Sequence, residues 1–321
     1  MRGVDRTDRN PFLVSDKPRP LVVGHRGVPL VHQENSLAGF RRAAALGIPA
    51  IELDVRLTAD GRAVCVHDAD LERLTGEAVD IGDLTWDQAS RLRLRRELPM
   101  GVCADGSCVT TRYAETEPIP LLEEVLAELA GKVAINVELK ITGRRWWETA
   151  VGAVVAQELA RAGAVHRVIV TSFDPRKLRA AARVRPELAI GFAFDDSMLD
   201  FAAPLLDRLP LLATELSTLD SRPHANGRRL LGRVVDGGLV GQMLNTRVVG
   251  VEHTLVGPRT VKRMHERGVA IGTHTLLPIG STTGKRIEPS ASDVEEVRRL
   301  AALGVDWIET DDPERVMAML G

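Results

Sequence analysis

The sequence predicts an α/β protein whose strands close into a (β/α)8 barrel of the TIM-barrel class. Three observations carry this. Short apolar runs alternate with helical patterns, as in a parallel sheet with crossover helices. Eight strand slots recur along the chain, the number that closes such a barrel. The composition is also that of an ordinary globular chain with an aliphatic core: 44% of the 321 residues are hydrophobic and only 3% aromatic.

Residues 1–20 read as a polar N-terminal segment and residues 21–321 as one barrel domain. The opening, MRGVDRTDRNPFLVSDKPRP, lacks the apolar stretch of a signal peptide. No later apolar run is long enough to span a bilayer. A cytoplasmic location and no transmembrane segment are therefore expected.

The first strand, Leu21 to Val23, runs into Gly24-His25-Arg26-Gly27. The periodic run LAGFRRAAAL follows as a helix, with Asn35 or Ser36 as its cap and Gly47 suited to the position past its end. A second strand spans about Ala50 to Leu57, and Ala59-Asp60-Gly61-Arg62 turns it into a third run, Ala63 to His67. Asp-Gly between two β runs is a strong hairpin signal, so this return strand is antiparallel to the one before it.

Residues of about 69–118 break the rhythm and read as an insertion over one end of the fold. Within it, Thr85-Trp86-Asp87-Gln88 forms a capping box for a short helix, and Arg91 to Arg96 reads as a solvated helix face.

The alternation then resumes. Pro120 to Leu129 is helical, Val133 to Lys140 a strand, about 146–162 a helix and Arg167 to Ser172 a strand. Asp174-Pro175 starts the next helix with a cap and a first-turn proline. Leu188 to Phe194 is the fifth parallel strand, and the sixth is either Leu211 to Glu215 or Val248 to Glu252. Val269 to Thr275 and Asp306 to Thr310 complete the set, with Asp312-Pro313 opening the last helix.

Charge excludes one class of function. Forty-two basic residues against 44 acidic give a net charge of −2, so bulk electrostatics offers nothing to nucleic acid. Three cysteines imply no disulfide framework, and Cys103 and Cys108 read as two thiols in a loop rather than a zinc site. No glycine-rich phosphate loop or serine-hydrolase elbow is present. His32, His166, His224, His253 and His265 read as loop or surface histidines. The oligomeric state is left open.

The chemistry gathers where barrel strands end and loops begin. His25 and Arg26 end the first strand. Glu52 and Asp54 stand two apart on the second and so share a face, as do Glu138 and Lys140 on the strand after the insertion. With Asp60 and Gly61 as the two central turn residues, equal steps outward set Asp54 opposite His67. A lone Glu-x-Asp on an apolar strand reads as a structural ion pair with Arg26 or Lys140. Several costly charged groups on one predicted face read as a site. Three carboxylates and no thiol favour one hard divalent cation, Mg2+ or Ca2+, over zinc. Arg26 and Lys140 suit a phosphate, and two imidazoles can serve as base and acid.

At these residues the sequence resembles the glycerophosphodiester phosphodiesterase family. The matching segments are GHRG (24–27), ENSLAGFRRAAALG (34–47), IELDVRLTADGRAVCVHD (51–68), IPLLEEVL (119–126), NVELK (136–140), TSFDP (171–175) and IETDDP (308–313). The resemblance implies a β/α barrel that hydrolyses a small-molecule glycerophosphodiester to glycerol 3-phosphate and an alcohol. It implies His25 and His67 as general acid and base, Glu52, Asp54 and Glu138 as ligands of a divalent cation, and Arg26 and Lys140 as phosphate contacts. One departure stands out: the late strand that usually reads Trp-Thr-Val-Asn is here His274-Thr275-Leu276-Leu277, so the wall around the substrate differs. Only Trp86 and Tyr113 are aromatic in the insertion, which leaves choline specificity without support. Leu92, Leu94 and Leu98 are the sole hint of an apolar groove for a lysophospholipid. A metal-dependent sugar lyase or isomerase, and a non-catalytic binding barrel, are the remaining alternatives.

Overall fold

A computed structural model describes residues 10–13, 18–102, 108–140, 148–194, 245–277 and 291–321 of the chain. The barrel opens with β1 (Leu21–Gly24), α1 (Leu37–Ala45) and β2 (Ala50–Leu57), and the return strand is β3 (Ala63–Cys65). The segment that follows holds α2 (Glu72–Thr75), α3 (Trp86–Ala89), β4 (Arg93–Leu94), β5 (Glu97–Val102), β6 (Cys108–Arg112) and β7 (Glu117–Pro118). Next come α4 (Leu122–Leu129), β8 (Ala134–Leu139), α5 (Ala150–Arg161), β9 (Val168–Ser172), α6 (Pro175–Val184) and β10 (Ala189–Phe194). The chain ends with β11 (Val248–Glu252), α7 (Pro258–Glu266), β12 (Ala270–Leu276), α8 (Ala291–Leu303), β13 (Trp307–Thr310) and α9 (Pro313–Leu320).

The large sheet runs β1-β13-β12-β11-β10-β9-β8-β2-β3, and a further β1–β2 pairing closes its eight parallel strands into a ring. This is the (β/α)8 barrel expected. The sixth strand is Val248–Glu252; the other candidate, Leu211 to Glu215, lies outside the described residues. Strand parity sorts the side chains into layers. One set, Val23, Ala50, Ala134, Ile169, Ala189, Val248, Ala270 and Trp307, forms a single apolar cluster in the barrel floor. Alternate residues such as Ile51, Leu53, Ile135, Val137 and Val170 belong to a larger cluster shared with the helices.

The floor has two particular features. A Cβ on Gly272 would lie 1.7 Å from Trp307 Cε2, so only glycine leaves room for the indole. Phe12, from the polar N-terminal segment, is fully buried against that indole, edge to face at 5.6 Å between ring centroids.

Helix starts follow the sequence closely. Ser36, not Asn35, caps α1, its Oγ accepting from Gly39 N at 3.1 Å. Thr85 N donates to Gln88 Oε1 at 2.9 Å, the return contact of its capping box. Asp174 caps α6 and Asp312 caps α9, each followed by proline.

Two expectations need correction. The hairpin register is Val55↔Cys65, Arg56↔Val64 and Leu57↔Ala63. Asp54 therefore meets Val66, whose N donates to Asp54 O at 3.0 Å, and not His67. The turn has three residues, not two: Gly61 adopts φ 79° and Thr58 N donates to Arg62 O to close the pair. A three-residue loop with a left-handed third residue takes Ala59 out of the outgoing strand and shifts the register by one. The second correction concerns Arg91 to Arg96, which contributes β4 and turns rather than a helix face.

The segment between β3 and α4 packs around its own cluster, including Leu71, Leu74, Ile81, Leu94, Leu98 and Tyr113. Leu94 and Leu98 are 2% and 0% exposed, so they fill this core instead of lining a groove. The segment is tied to the loop after β1: Tyr113 Oη donates to Pro29 O at 2.7 Å, and Gln33 Nε2 donates to Arg95 O and Glu115 O. Among the described residues, no helix is long and apolar enough to cross a membrane.

Candidate active site

Two residues beyond the floor layer, the barrel interior turns polar. His25 stands two past Val23, Glu52 two past Ala50, Asn136 two past Ala134, Thr171 two past Ile169 and Glu309 two past Trp307. Contacts across the interior confirm the shared layer: Asn136 Nδ2 donates to Glu309 Oε2 at 3.2 Å, and Thr171 Oγ1 donates to Asn136 Oδ1 at 2.9 Å. Asp54 and Glu138 follow one layer higher on adjacent strands, directly paired in register.

The loop after β1 is shaped to reach this layer. A Cβ on Gly24 would lie 2.3 Å from Gly27 O, which demands glycine there. Arg26 takes φ 53° and Asn35 φ 55°, left-handed values that non-glycine residues adopt at a cost of order 1–3 kcal/mol. That strain puts Arg26 N on Glu52 Oε2 at 2.9 Å and its guanidinium 3.2 Å from Asp54 and 2.9 Å from Glu34. Asn35 clamps Asp54 twice, donating from Nδ2 to Oδ2 at 2.8 Å and accepting from Asp54 N at 3.0 Å.

Direct contacts join six of the seven expected residues, and His67 is linked to them through Asp68, Arg73 and Glu34. Lys140 Nζ lies 2.7 Å from Glu138 and 3.3 Å from Asp54. Each histidine is held by an aspartate: His25 Nδ1 pairs with Asp311 Oδ1 at 2.6 Å and His67 Nδ1 with Asp68 Oδ1 at 2.7 Å. His67 arrives not through strand register but from just beyond β3, where its carbonyl accepts from Arg56 Nε at 2.8 Å. His274 lies on β12, its Nε2 3.1 Å from Phe194 O and its ring edge to face with Phe173. Cys103 lies outside the described residues, and Cys108 is exposed.

Sequence reading missed Glu34, Asp68, Arg73, Glu309 and Asp311. Glu309 and Asp311 repeat the two-residue carboxylate spacing of Glu52 and Asp54 at the end of β13, a signal that was present. Glu34 and Arg73 are separated by 39 residues, and only the tertiary fold pairs them.

The electrostatics are those of crowded carboxylates with too few cations. Burial and the charges of Asp54, Glu309 and Glu138 push Glu52 well above the usual range. Burial raises Asp54 too, but Lys140 and Arg26 outweigh it and hold it well below. Burial, with Glu138 and Asp54 beside it, pushes Glu309 up to about 7. The two histidines diverge. Burial and Arg26 pull His25 down, but Asp311 and Glu309 leave it above its ordinary value. Burial, Arg26 and Lys140 leave His67 below.

Glu52 Oε1 is buried without a hydrogen-bond partner among the described residues, and Asp54 Oδ1 has no hydrogen bond beyond its ion pair with Lys140 at 3.3 Å. Their ligand atoms and one of Glu138 all lie within 4.8 Å of one another. An orphaned carboxylate oxygen at zero exposure needs a countercharge. An oxygen-only donor set matches a hard divalent cation. The residues present thus fit such an ion, with Glu52, Asp54 and Glu138 as its holders.

The sequence profile of the Glycerophosphoryl diester phosphodiesterase family matches residues 25–315, nearly the whole of the barrel just described. The chain belongs to this family. Its members hydrolyse phosphoric diesters. Among curated proteins, the glycerophosphodiester phosphodiesterase of Caldanaerobacter subterraneus subsp. tengcongensis is 29% identical over 182 residues, 57% of this chain and 70% of that protein. The mouse glycerophosphoinositol inositolphosphodiesterase is 33% identical over 141 residues, 40% of this chain and only 25% of that protein. Among solved structures, the glycerophosphodiester phosphodiesterase of Agrobacterium tumefaciens superposes with a TM-score of 0.62 at 20% identity, covering 93% of this chain and 99% of that one. A phosphodiesterase of Oleispira antarctica, solved with sn-glycerol-3-phosphate, gives a TM-score of 0.62 at 19% identity over 94% of this chain and 97% of that one. At such identities the structures share the fold of this family member.

Proposed function

We propose that this phosphodiesterase hydrolyses glycerophosphodiesters to glycerol 3-phosphate and an alcohol, with a divalent cation, Mg2+ or Ca2+, at Glu52, Asp54 and Glu138. The observation that carries this reading is a single arrangement. Asp54 is contacted by Arg26 at 3.2 Å and by Lys140 at 3.3 Å, and beside it on β2 Glu52 faces the Nε2 of aspartate-held His25 at 3.9 Å. A sugar lyase or isomerase has less use for two cationic side chains beside its carboxylates, whereas a phosphate has direct use for them.

The aspartates define what the histidines can do. Each accepts from Nδ1, which fixes ring orientation and leaves Nε2 to face the reacting atoms. One imidazole removes the proton of a glycerol hydroxyl as its oxygen forms a bond to phosphorus. The other protonates the oxygen of the alcohol as the P–O bond to it breaks. Water then opens the cyclic phosphodiester, and the two histidines exchange roles. Opposite shifts of the two groups suit an acid–base pair. Arg26 and Lys140 orient the phosphoryl oxygens and offset charge that grows in the transition state. A divalent cation held by Glu52, Asp54 and Glu138 would supply further positive charge to the phosphate.

A cavity of about 480 Å³ opens beside His67, bordered by Arg56, Asp68, Asp70, Glu72 and Arg73. It has room for a small polar alcohol, and its described lining contains no Phe, Tyr or Trp.

The test is release of glycerol 3-phosphate from glycerophosphodiesters of choline, ethanolamine, inositol and glycerol, with EDTA, Mg2+ or Ca2+. Metal-dependent release that His25→Ala and His67→Ala each reduce by a factor of about 100 or more is the expected result. Rates like those of the parent in both variants would overturn the mechanism. Release from lysophosphatidylcholine alone would move the substrate class to lysophospholipids.

A further inference from the structure

Glu52 takes part in two groups of possible ligands. Besides the carboxylate set, His25, Glu52 and Glu309 also place one donor atom each within 4.8 Å of one another. They come from β2, β13 and the end of β1, which lies between the other two strands and pairs with both. We infer that this second triad is a separate cation site, selective for a transition-metal ion of the Zn2+ type, whose occupation inhibits the enzyme.

Four observations support the assignment. His25 Nε2 lies 3.9 Å from Glu52 Oε2, too long for a hydrogen bond. Two donors each about 2 Å from one ion stand roughly 3–4 Å apart, so the gap suits a shared ion. Second, Asp311 holds Nδ1 at 2.6 Å, the carboxylate–histidine arrangement that fixes the tautomer and points Nε2 at a metal. Third, Asn136 donates to Glu309 and is itself held by Thr171, so the second carboxylate has its own supporting shell. Fourth, Glu52 and Glu309 are both buried, so a cation between them and His25 is shielded from solvent on the carboxylate side.

The donor chemistry sets the selectivity. The carboxylate triad offers oxygen alone and suits Mg2+ or Ca2+. The second triad offers one imidazole nitrogen and two carboxylate oxygens, which suits a borderline ion of the Zn2+ type. The His25 side chain is 26% exposed while Glu52 and Glu309 are buried, so an ion can enter from the imidazole side. Inhibition follows from one atom. The Nε2 lone pair that would accept or deliver a proton is occupied by the ion. This consequence rests on the function proposed above; the existence of the site does not.

The experiment therefore reads binding and turnover separately. Metal-free protein is saturated with Mg2+ and titrated with Zn2+ by calorimetry, and with Co2+ by visible absorption as a spectroscopic probe of nitrogen ligation. The parent should bind one equivalent beyond Mg2+, with activity falling over the same range. Glu309→Gln should keep its Mg2+ affinity while binding the added ion at least about tenfold more weakly. His25→Ala should lose the same binding step, as a check that does not depend on folding of the first variant. Displacement of Mg2+ by Zn2+ one for one, or equal affinity in Glu309→Gln, would overturn the site. Binding that behaves as expected in a protein with no turnover on any diester would instead count against the proposed function alone.

Discussion

Arg73 brackets the carboxylate of Glu34 with two guanidinium nitrogens, both at 2.9 Å. Its Nε simultaneously donates to Asp68 Oδ2 at 2.6 Å, and Asp68 holds His67. Glu34 is 2% exposed and also pairs with Arg26, so one chain of charges links the β1 loop to the second histidine. Burial opposes ionisation of Glu34, but Arg26 and Arg73 outweigh it and hold it down at about 2. Arg73→Met should lower kcat by roughly 10- to 100-fold with a smaller change in KM, because His67 loses its orientation rather than its contact with substrate. Stability should fall by about 1–3 kcal/mol in urea, since Arg26 still pairs with Glu34. An unchanged kcat would show that Asp68 holds His67 without help. Lys in place of Arg restores the charge but not the two-pronged contact, and should rescue stability more than rate.

Glu52 gives the metal-free protein a cost that can be measured. Its carboxylate is crowded by Asp54, Glu309 and Glu138 in a buried setting. Glu52→Gln should raise the melting temperature in EDTA, because a buried repulsion disappears. The same change should abolish the rise that Mg2+ or Ca2+ gives the parent, about 2.7 kcal/mol at a concentration 100 times Kd. Thermal shift with and without EDTA reads both effects. A Glu52→Gln variant still stabilised by the ion would place the ion elsewhere.

The barrel was legible because its signals are local: alternating runs, Asp-Pro helix starts, Ser36 before a periodic helix. The candidate carboxylates were legible for the same reason, since Glu52 and Asp54 share a face by strand geometry alone. What escaped depends on turns and on distance along the chain. One extra residue in the hairpin turn moved Asp54 off His67, although both still reach the site. Glu34, Arg73 and Asp68 are unremarkable in sequence, and their roles appear only when the segment after β3 folds back on the β1 loop. Glu309 and Asp311 carried the same spacing as Glu52 and Asp54, on a segment read as the last strand, a family match and a helix start but not for its carboxylates.

Phe12 is a further case where composition misled. A segment that reads as polar throughout buries one phenylalanine completely against Trp307, and Asn10 Nδ2 donates to Val168 O at 2.9 Å to fix it there. Phe12→Ala should destabilise the barrel by about 3–5 kcal/mol, the range for emptying a buried aromatic site. Removing residues 1–13 should cost a similar amount, measured by urea denaturation. A loss below about 1 kcal/mol would mean that the floor closes over the gap.

Glu158 supplies a pH dependence far from the chemistry. It lies on α5 at 8% exposure, and its Oε2 has no hydrogen-bond partner among the described residues. Burial, with Glu123 nearby, pushes it up to about 7 from an ordinary 4.5, against Arg62 and Arg161. The folded value lies above the unfolded one, so the fold favours the protonated acid. That contribution is fully present below about pH 4.5 and is lost as pH rises through about 7. Glu158→Gln keeps the neutral shape and should stabilise the protein at pH 8 by about 1–3 kcal/mol, with the gain fading towards pH 4.5. Urea midpoints of both proteins at the two pH values decide it. An equal gain at both would trace the effect to packing or helix propensity, and the carboxylate would then ionise in the fold as readily as in the unfolded chain.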